Sequence, residues 1–217
     1  MTGRAELSSA MTADQFAARF SVSRETMARL RIYETLLERW QKVHNLVAPR
    51  TLPQIWGRHF ADSAQLLALA PRARRWLDLG SGAGFPGLVL AILLADLPGA
   101  FVGLVESNQK KCAFLEAVLR ETGAPARVFA MRCEELAKEP PGELDIVTAR
   151  ALAPLTDLFG LAAPFMAGHA QALFMKGRDV DVELTEASRC WKISADQCPS
   201  LTEAEGRILM VHSLRRR

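Results

Sequence analysis

The stretch Trp76–Leu97, "WLDLGSGAGFPGLVLAILLADL", decides the fold. It runs from a short apolar segment through a carboxylate, Asp78, and the glycines Gly80, Gly82, Gly84 and Gly87 into an apolar helix pattern. A strand that ends in a glycine-rich turn and opens a helix is suited to a nucleoside or dinucleotide. Glycines let the backbone approach the ligand, and the helix start leaves N–H groups free. Gly82, Gly84 and Gly87 also satisfy the G-x-G-x-x-G spacing of hydride cofactors, a weak signal by itself.

Asp78 separates the two ligand classes. Two unit charges about 4 Å apart at an effective dielectric near 20 interact by about 4 kcal/mol, so a carboxylate beside a pyrophosphate is repulsive. A ligand whose tail carries an ammonium and a sulfonium reverses the sign. The segment Asp78–Gly84, "DLGSGAG", therefore reads as a loop for the aminoacyl tail of S-adenosylmethionine, with Asp78, Gly80, Gly82 and Gly84 as cofactor-binding candidates.

Around this stretch the chain alternates short apolar runs with helix patterns. The expected strands are Arg75 to Leu79, Ala100 to Val105, Ala126 to Met131, Leu144 to Thr148 and Ala170 to Met175. Such alternation predicts an α/β fold, a mostly parallel sheet with helices on both faces. Two tail segments, "CWKISA" and "RILMVHSL", would close it as an antiparallel pair, making seven strands. Upstream, apolar residues from Met27 to Val43 recur at three- and four-residue steps, so two helices are expected between Thr12 and Val43. Thr12 with Gln15 forms a capping-box pattern, and Ser23 is a second N-cap. A proline-bearing break separates them from a helix around His59 to Leu69. The expected division is an N-terminal helical cap over 1–70 and one compact binding domain over 71–217.

Composition fits one sizeable core with an extension: 217 residues, 49% apolar and 24% charged. The net charge of +3 permits a nucleic-acid partner without demanding one. Cys112, Cys133, Cys190 and Cys198 lack the paired spacing of a metal or redox site, so reduced thiols and no metal are expected. With no signal-peptide pattern and no apolar run long enough for a bilayer, a cytoplasmic protein without a membrane partner is expected, as a monomer.

Further candidates follow in chain order. Glu106 ends the second strand, where an acidic residue accepts hydrogen bonds from ribose hydroxyls. After the third strand, "RCEEL" would line an adenine pocket through the Cys133 backbone and the Glu134 side chain. The end of the fourth strand, "IVTARALAPL", lacks the acidic or amide residue, two prolines and aromatic used in methylating an exocyclic amine. Methylation at pyrimidine C5 needs a thiolate, and Cys198 lies far downstream of any active-site strand. A ring nitrogen such as guanine N7 needs neither device. Its lone pair is nucleophilic and no proton leaves on attack, so catalysis reduces to orientation. Arg150 and Lys176, at the ends of the fourth and fifth strands, are candidates for positioning a phosphate or guanine edge, with no certain catalytic residue. Arg72, Arg74, Arg75, Lys110, Lys111, Arg178 and Arg215 to Arg217 would extend a phosphate-binding surface. His59 and Asp62, in "RHFADS", are read as packing or capping residues.

The segments "NLV" at Asn45, "RHFADS" at Arg58, "DLGSGAGFPGLVLAI" at Asp78, "ESNQKKCAFL" at Glu106, "RCEEL" at Arg132, "TARALAPL" at Thr148 and "FMKG" at Phe174 fall in a familiar order and spacing. In them the chain resembles the bacterial 16S ribosomal RNA guanine-N7 methyltransferases, the RsmG or glucose-inhibited division protein B family. The likeness runs from about Phe16 to Leu214. It implies a class I, Rossmann-like methyltransferase with an N-terminal helical cap. The implied reaction is methyl transfer from S-adenosylmethionine to N7 of a guanine near the decoding site, in 16S RNA or the small ribosomal subunit. It further implies that Gly80, Phe85, Cys133, Glu134 and Arg150 hold the cofactor, with Glu106 near the ribose. Ala83 stands where the family often has proline, and Cys133 replaces a more usual valine or alanine. Two other classes compete: a binding protein that assists ribosome assembly without chemistry, whose mark would be a damaged loop, and a nicotinamide oxidoreductase, against which Asp78 speaks.

Overall fold

The computed structural model describes residues 11–166 and 168–217. After α1 (Ala13–Phe20) and α2 (Arg24–Gln41) come a 3-10 turn (Pro49–Gln54), a wide π-helical turn (Ile55–Ala61) and the short α3 (Asp62–Ala64) and α4 (Leu66–Leu69). Then β1 (Arg75–Leu79), α5 (Gly87–Leu93), β2 (Phe101–Val105), α6 (Gln109–Thr122), β3 (Ala126–Phe129) and α7 (Cys133–Leu136) alternate. The chain continues through β4 (Ile146–Arg150), α8 (Leu155–Ala162), β5 (Gln171–Lys176), α9 (Val180–Ala187), β6 (Trp191–Pro199) and β7 (Arg207–Arg216).

The sheet has the order β3-β2-β1-β4-β5-β7-β6. β1 to β5 are parallel, and β7 is antiparallel to both β5 and β6. The expected seven strands and the antiparallel closure are therefore present. Chain order reverses at β1, whose neighbours are β2 and β4, so a crevice opens beyond the carboxyl ends of these strands.

Alternation along the strands divides the core in two. Trp76, Val102, Leu104 and Ile146 pack towards α2, α5 and α6, whereas Leu77, Leu79, Val147 and Ala149 pack towards α8. Asp78 shares the Trp76 face and sits in register with Thr148 of β4. Inside α2, Met27, Leu30, Tyr33 and Leu37 are buried, which seats the N-terminal helices on the α5–α6 side.

Local signals account for the helix starts. The Thr12 hydroxyl accepts from the Gln15 N–H at 3.2 Å while the Gln15 side chain accepts from the Thr12 N–H at 2.8 Å. Ser23 Oγ accepts from the Thr26 N–H at 3.1 Å. Several boundaries depart from expectation, among them the end of β3, at Phe129 rather than Met131. The α2 helix ends at Gln41, which leaves Val43, the last residue of the expected stripe, 77% exposed. β4 starts at Ile146 rather than Leu144; just before it, Asp145 Oδ2 accepts from the N–H groups of Arg74 (2.7 Å) and Arg75 (2.9 Å). The single helix expected over His59 to Leu69 is a π-helical turn followed by two short α pieces. Among the described residues no helix is long and apolar enough to cross a membrane, and all four cysteines are free thiols.

Candidate functional site

Two cavities open at the carboxyl edge of the sheet. The smaller, about 270 Å³, is lined by Gly80, Glu106, Met131, Cys133, Glu134 and Leu152 among others. The larger, about 490 Å³, lies between the ends of β4 and β5, the His59–Asp62 turn and the β6–β7 connection, and includes Arg150 and Lys176. Ala151 lines both. It has φ 52°, a left-handed conformation that costs a non-glycine residue about 1–3 kcal/mol.

Turn geometry explains the glycine loop. Gly80, Gly82 and Gly84 have φ of 65°, 59° and 95°. A Cβ on Gly84 would lie 2.7 Å from Leu88 Cβ and 2.8 Å from the Tyr33 hydroxyl, so this position admits only glycine. Tyr33, fully buried on α2, donates its hydroxyl to the Ala83 carbonyl. The N-terminal helices are thereby fastened to the loop at Ala83, the residue where a proline would have stiffened the chain.

Asp78 requires a correction. Expected at the mouth of the pocket, it is 1% exposed and sits behind the loop. Its Oδ1 accepts from the Thr148 hydroxyl (2.9 Å) and its Oδ2 from the Gly87 N–H (3.1 Å), so it holds the start of α5 onto β4. Burial pushes its carboxyl up to about 6, against the opposing pull of Thr148, Ser81, the Gly87 N–H and Arg150. Any attraction it exerts on a cationic ligand acts through the loop.

Glu106 does line the smaller cavity. Its Oε2 accepts from the Gly82 N–H (2.9 Å) and its Oε1 from the Asn108 N–H (2.8 Å). A carboxylate oxygen accepts two hydrogen bonds, so each retains capacity for a hydroxyl. Cys133, at the start of α7, is held as a neutral thiol by burial and then by Glu134, which push it up to about 11. The fit to a nucleoside is good: a carboxylate for the ribose diol, apolar side chains of Val105, Met131, Leu152 and Leu161 for a ring, and a glycine turn beside them.

Gly82, Gly84 and Phe85 are not among the residues lining either cavity. Phe85 is 4% exposed, stacked on His59 (centroids 4.7 Å) and Tyr33 (5.4 Å), with the Arg150 guanidinium 5.0 Å above it. Arg150 is fixed by the N-terminal segment. Nη1 donates to Asp62 Oδ2 (3.3 Å), and Nη2 lies 3.0 Å from His59 Nδ1. Because the guanidinium only donates, Nδ1 accepts, and the imidazole proton sits on Nε2, donated to Thr51 Oγ1 (2.9 Å). Burial, then Arg150 and Arg58, lower His59 to about 3, so it is neutral. Reading His59 and Asp62 as packing or capping residues misses this clamp; the wide turn aims both at the end of β4. Lys176 is likewise held, by Glu183 (2.6 Å) and the Ala153 carbonyl (3.2 Å).

The expected basic surface divides. Arg72, Arg74 and Arg75 precede or begin β1, and Arg215 to Arg217 end the antiparallel β7, so both groups lie at the sheet edge opposite the cavities. Lys111 lines the smaller cavity. The cations sequence reasoning missed are Arg50, Arg58 and Arg207, all on the larger cavity. Cys198 lies on the edge strand β6 and lines neither.

Solved structures share this fold. The O-methyltransferase from Bacillus cereus in complex with SAH superposes with a TM-score of 0.61 at 15% identity, over 92% of this chain and 96% of that one. The O-methyltransferase TomG from Streptomyces achromogenes, in complex with SAM, gives 0.57 at 15% identity, over 94% and 99%. At the sequence level, ribosomal RNA small subunit methyltransferase G of Rhodopseudomonas palustris strain HaA2 is 55% identical over 188 residues, 87% of this chain and 79% of the relative. The protein of the same name from Parvibaculum lavamentivorans is 51% identical over 202 residues, 93% of this chain and 89% of the relative. The family model described as rRNA small subunit methyltransferase G (GidB) matches residues 26–209. With that match spanning most of its length, the chain belongs to the rRNA small subunit methyltransferase G family.

Proposed function

We propose that this protein transfers a methyl group from S-adenosylmethionine to N7 of a guanine in 16S ribosomal RNA, in the cytoplasm and as a monomer, with residues 1–70 acting as a cap on the 71–217 domain. The observation that carries the reading is the cavity built from Gly80, Glu106 and Cys133 at the point where strand order reverses, in a chain of this family. S-adenosylmethionine supplies a methyl group activated on a sulfonium. The remaining work is positional. Glu106 accepts from the ribose hydroxyls while it braces Gly82, the Cys133 and Glu134 segment borders the adenine, and the Gly80 turn receives the amino-acid tail. Arg150, immobilised by Asp62 and His59, fixes the wall between donor and acceptor.

No general base is needed, because N7 attacks with an in-plane lone pair and loses no proton. The polar groups nearby agree: His59 is neutral with Nδ1 turned onto Arg150, and Asp78 is enclosed behind the loop. Mass spectrometry of 16S RNA from cells with and without the gene tests the reading, the expected difference being one N7-methylguanine. An unchanged RNA would favour the assembly-factor alternative. Stabilisation by NAD in place of S-adenosylhomocysteine would favour the oxidoreductase.

A further inference from the structure

The larger cavity adjoins the cavity read as the donor's, with Ala151 lining both and Arg150 standing just before that junction. We propose that it is the acceptor-base pocket, taking one unstacked purine base from a single-stranded segment while the phosphates stay outside. This rests on the reading that the smaller cavity holds the methyl donor.

Charge separates a base pocket from a phosphate track. A strand of phosphodiesters calls for an excess of cations. This cavity is instead walled by preformed ion pairs: Arg58 with Glu203 (2.9 Å), Arg150 with Asp62 (3.3 Å) and Lys176 with Glu183 (2.6 Å). Arg50, Arg207 and Asp179 complete the charged lining, so cations and carboxylates nearly balance. Alternating donors and acceptors suit the edge of a nucleobase, which presents both. Glu183 uses Oε2 for Lys176 and for the Leu155 N–H (2.8 Å), and no hydrogen bond to Oε1 is found among the described residues. A carboxylate oxygen there accepts from the N–H groups of a guanine, whose N7 lies on a different edge. Leu46, Val47, Met175 and Ile208 give the ring faces apolar contact. Access requires the base to leave its stack, as in other enzymes that modify bases.

Displacement at a methyl carbon needs donor and acceptor on one line, and Ala151 is the residue common to both cavities. Its left-handed backbone follows the fixed Arg150, so the junction is set by the chain rather than by a mobile side chain.

Two walls of the pocket can be filled without disturbing the core. A Cβ built on Gly177 meets no atom within 4 Å, and Ala48, on the same lining, is exposed. The test uses the full-length variants Gly177→Phe and Ala48→Trp, with Ser107→Trp as a probe of the smaller cavity. The substrate is small-subunit particles or 16S RNA lacking the methyl group. For the first two variants we expect melting temperature, S-adenosylhomocysteine affinity and salt-dependent RNA binding as in the parent, with kcat/KM for N7 methylation lowered about 100-fold or more. Ser107→Trp should weaken S-adenosylhomocysteine. Normal methylation by folded Gly177→Phe and Ala48→Trp would overturn the pocket, and so would loss of overall RNA binding, which would mark a phosphate track. If Ser107→Trp binds S-adenosylhomocysteine normally while Gly177→Phe does not, the donor-site reading fails instead.

Discussion

Tyr33→Phe isolates the bond between the N-terminal helices and the glycine loop. The ring stays, with its packing on Phe60, Phe85 and Phe114, and only the hydroxyl that donates to the Ala83 carbonyl is lost. Tyr33 is 0% exposed and Ala83 is 5% exposed, so water does not readily replace the lost donor. Leaving a buried carbonyl unsatisfied costs about 1–3 kcal/mol. For a chain of this size each kcal/mol lowers the melting temperature by roughly 2–4 °C, so a drop of roughly 2–12 °C is expected. The loop also loses its tether, and the part of that freedom removed on ligand binding should weaken S-adenosylhomocysteine by up to about tenfold, equivalent to 1.4 kcal/mol. Differential scanning calorimetry and titration calorimetry read the two effects separately. A variant that melts with the parent and binds the ligand equally well would refute the coupling of cap and loop.

Three more tests follow from the site. His59→Asn places an amide oxygen where Nδ1 accepts from Arg150, whereas His59→Gln reaches towards Thr51 instead; the first should retain S-adenosylhomocysteine affinity and the second lose about 1.5–3 kcal/mol of stability with a charged hydrogen bond, and equal behaviour would sink the clamp. Because Asp78 is raised to about 6 in the folded chain, the native state holds the extra proton between its unfolded value and about 6, and stability falls as pH rises through that window. A cationic tail favours the ionised carboxylate, so S-adenosylmethionine affinity should climb as pH rises to about 6 and level off above it, more steeply than for S-adenosylhomocysteine, which lacks the sulfonium; identical profiles in titration calorimetry would count against any electrostatic role of Asp78. Lys176→Met leaves Glu183 without its ion-pair partner at a site where the lysine side chain is only 10% exposed, so denaturant unfolding should show a loss of about 3 kcal/mol, and a neutral result would mean the pair contributes nothing.

Much of this architecture can be read from residue order. Parallel strands covered on both faces are short apolar runs between helix patterns, and β1, β2, β5 and the closing hairpin lie where those runs fall. β4 lies two residues later than its apolar run suggests, and Asp145 just before it turns its carboxylate onto the N–H groups of Arg74 and Arg75, a direction that a one-dimensional pattern does not show. Asp78 illustrates the same limit at the site. An acidic residue before a glycine loop looks identical whether it faces a ligand or, as here, a threonine on the adjacent strand. The paired spacing of His59 and Asp62 was visible, but their target, Arg150, is some ninety residues away and is reached only through a π-helical turn that no periodicity announces. Arg50, in a 3-10 turn, and Arg207, at the start of β7, are isolated cations far apart in the chain, and only the fold brings them to one rim.

The connection between β6 and β7 has a bearing on how the protein is made. Thr202 donates to Asp62 Oδ1 at 2.6 Å, Gln65 accepts from the Leu201 N–H at 2.8 Å, and Glu203 pairs with Arg58. The same Asp62 secures Arg150, so residues translated about fifty codons after that side chain stand beneath it. A nascent chain that has emerged only through β5 possesses its glycine loop and yet no completed floor under Arg150. The support under Arg150 is thus completed only when the β6–β7 connection has folded back onto the His59–Asp62 turn.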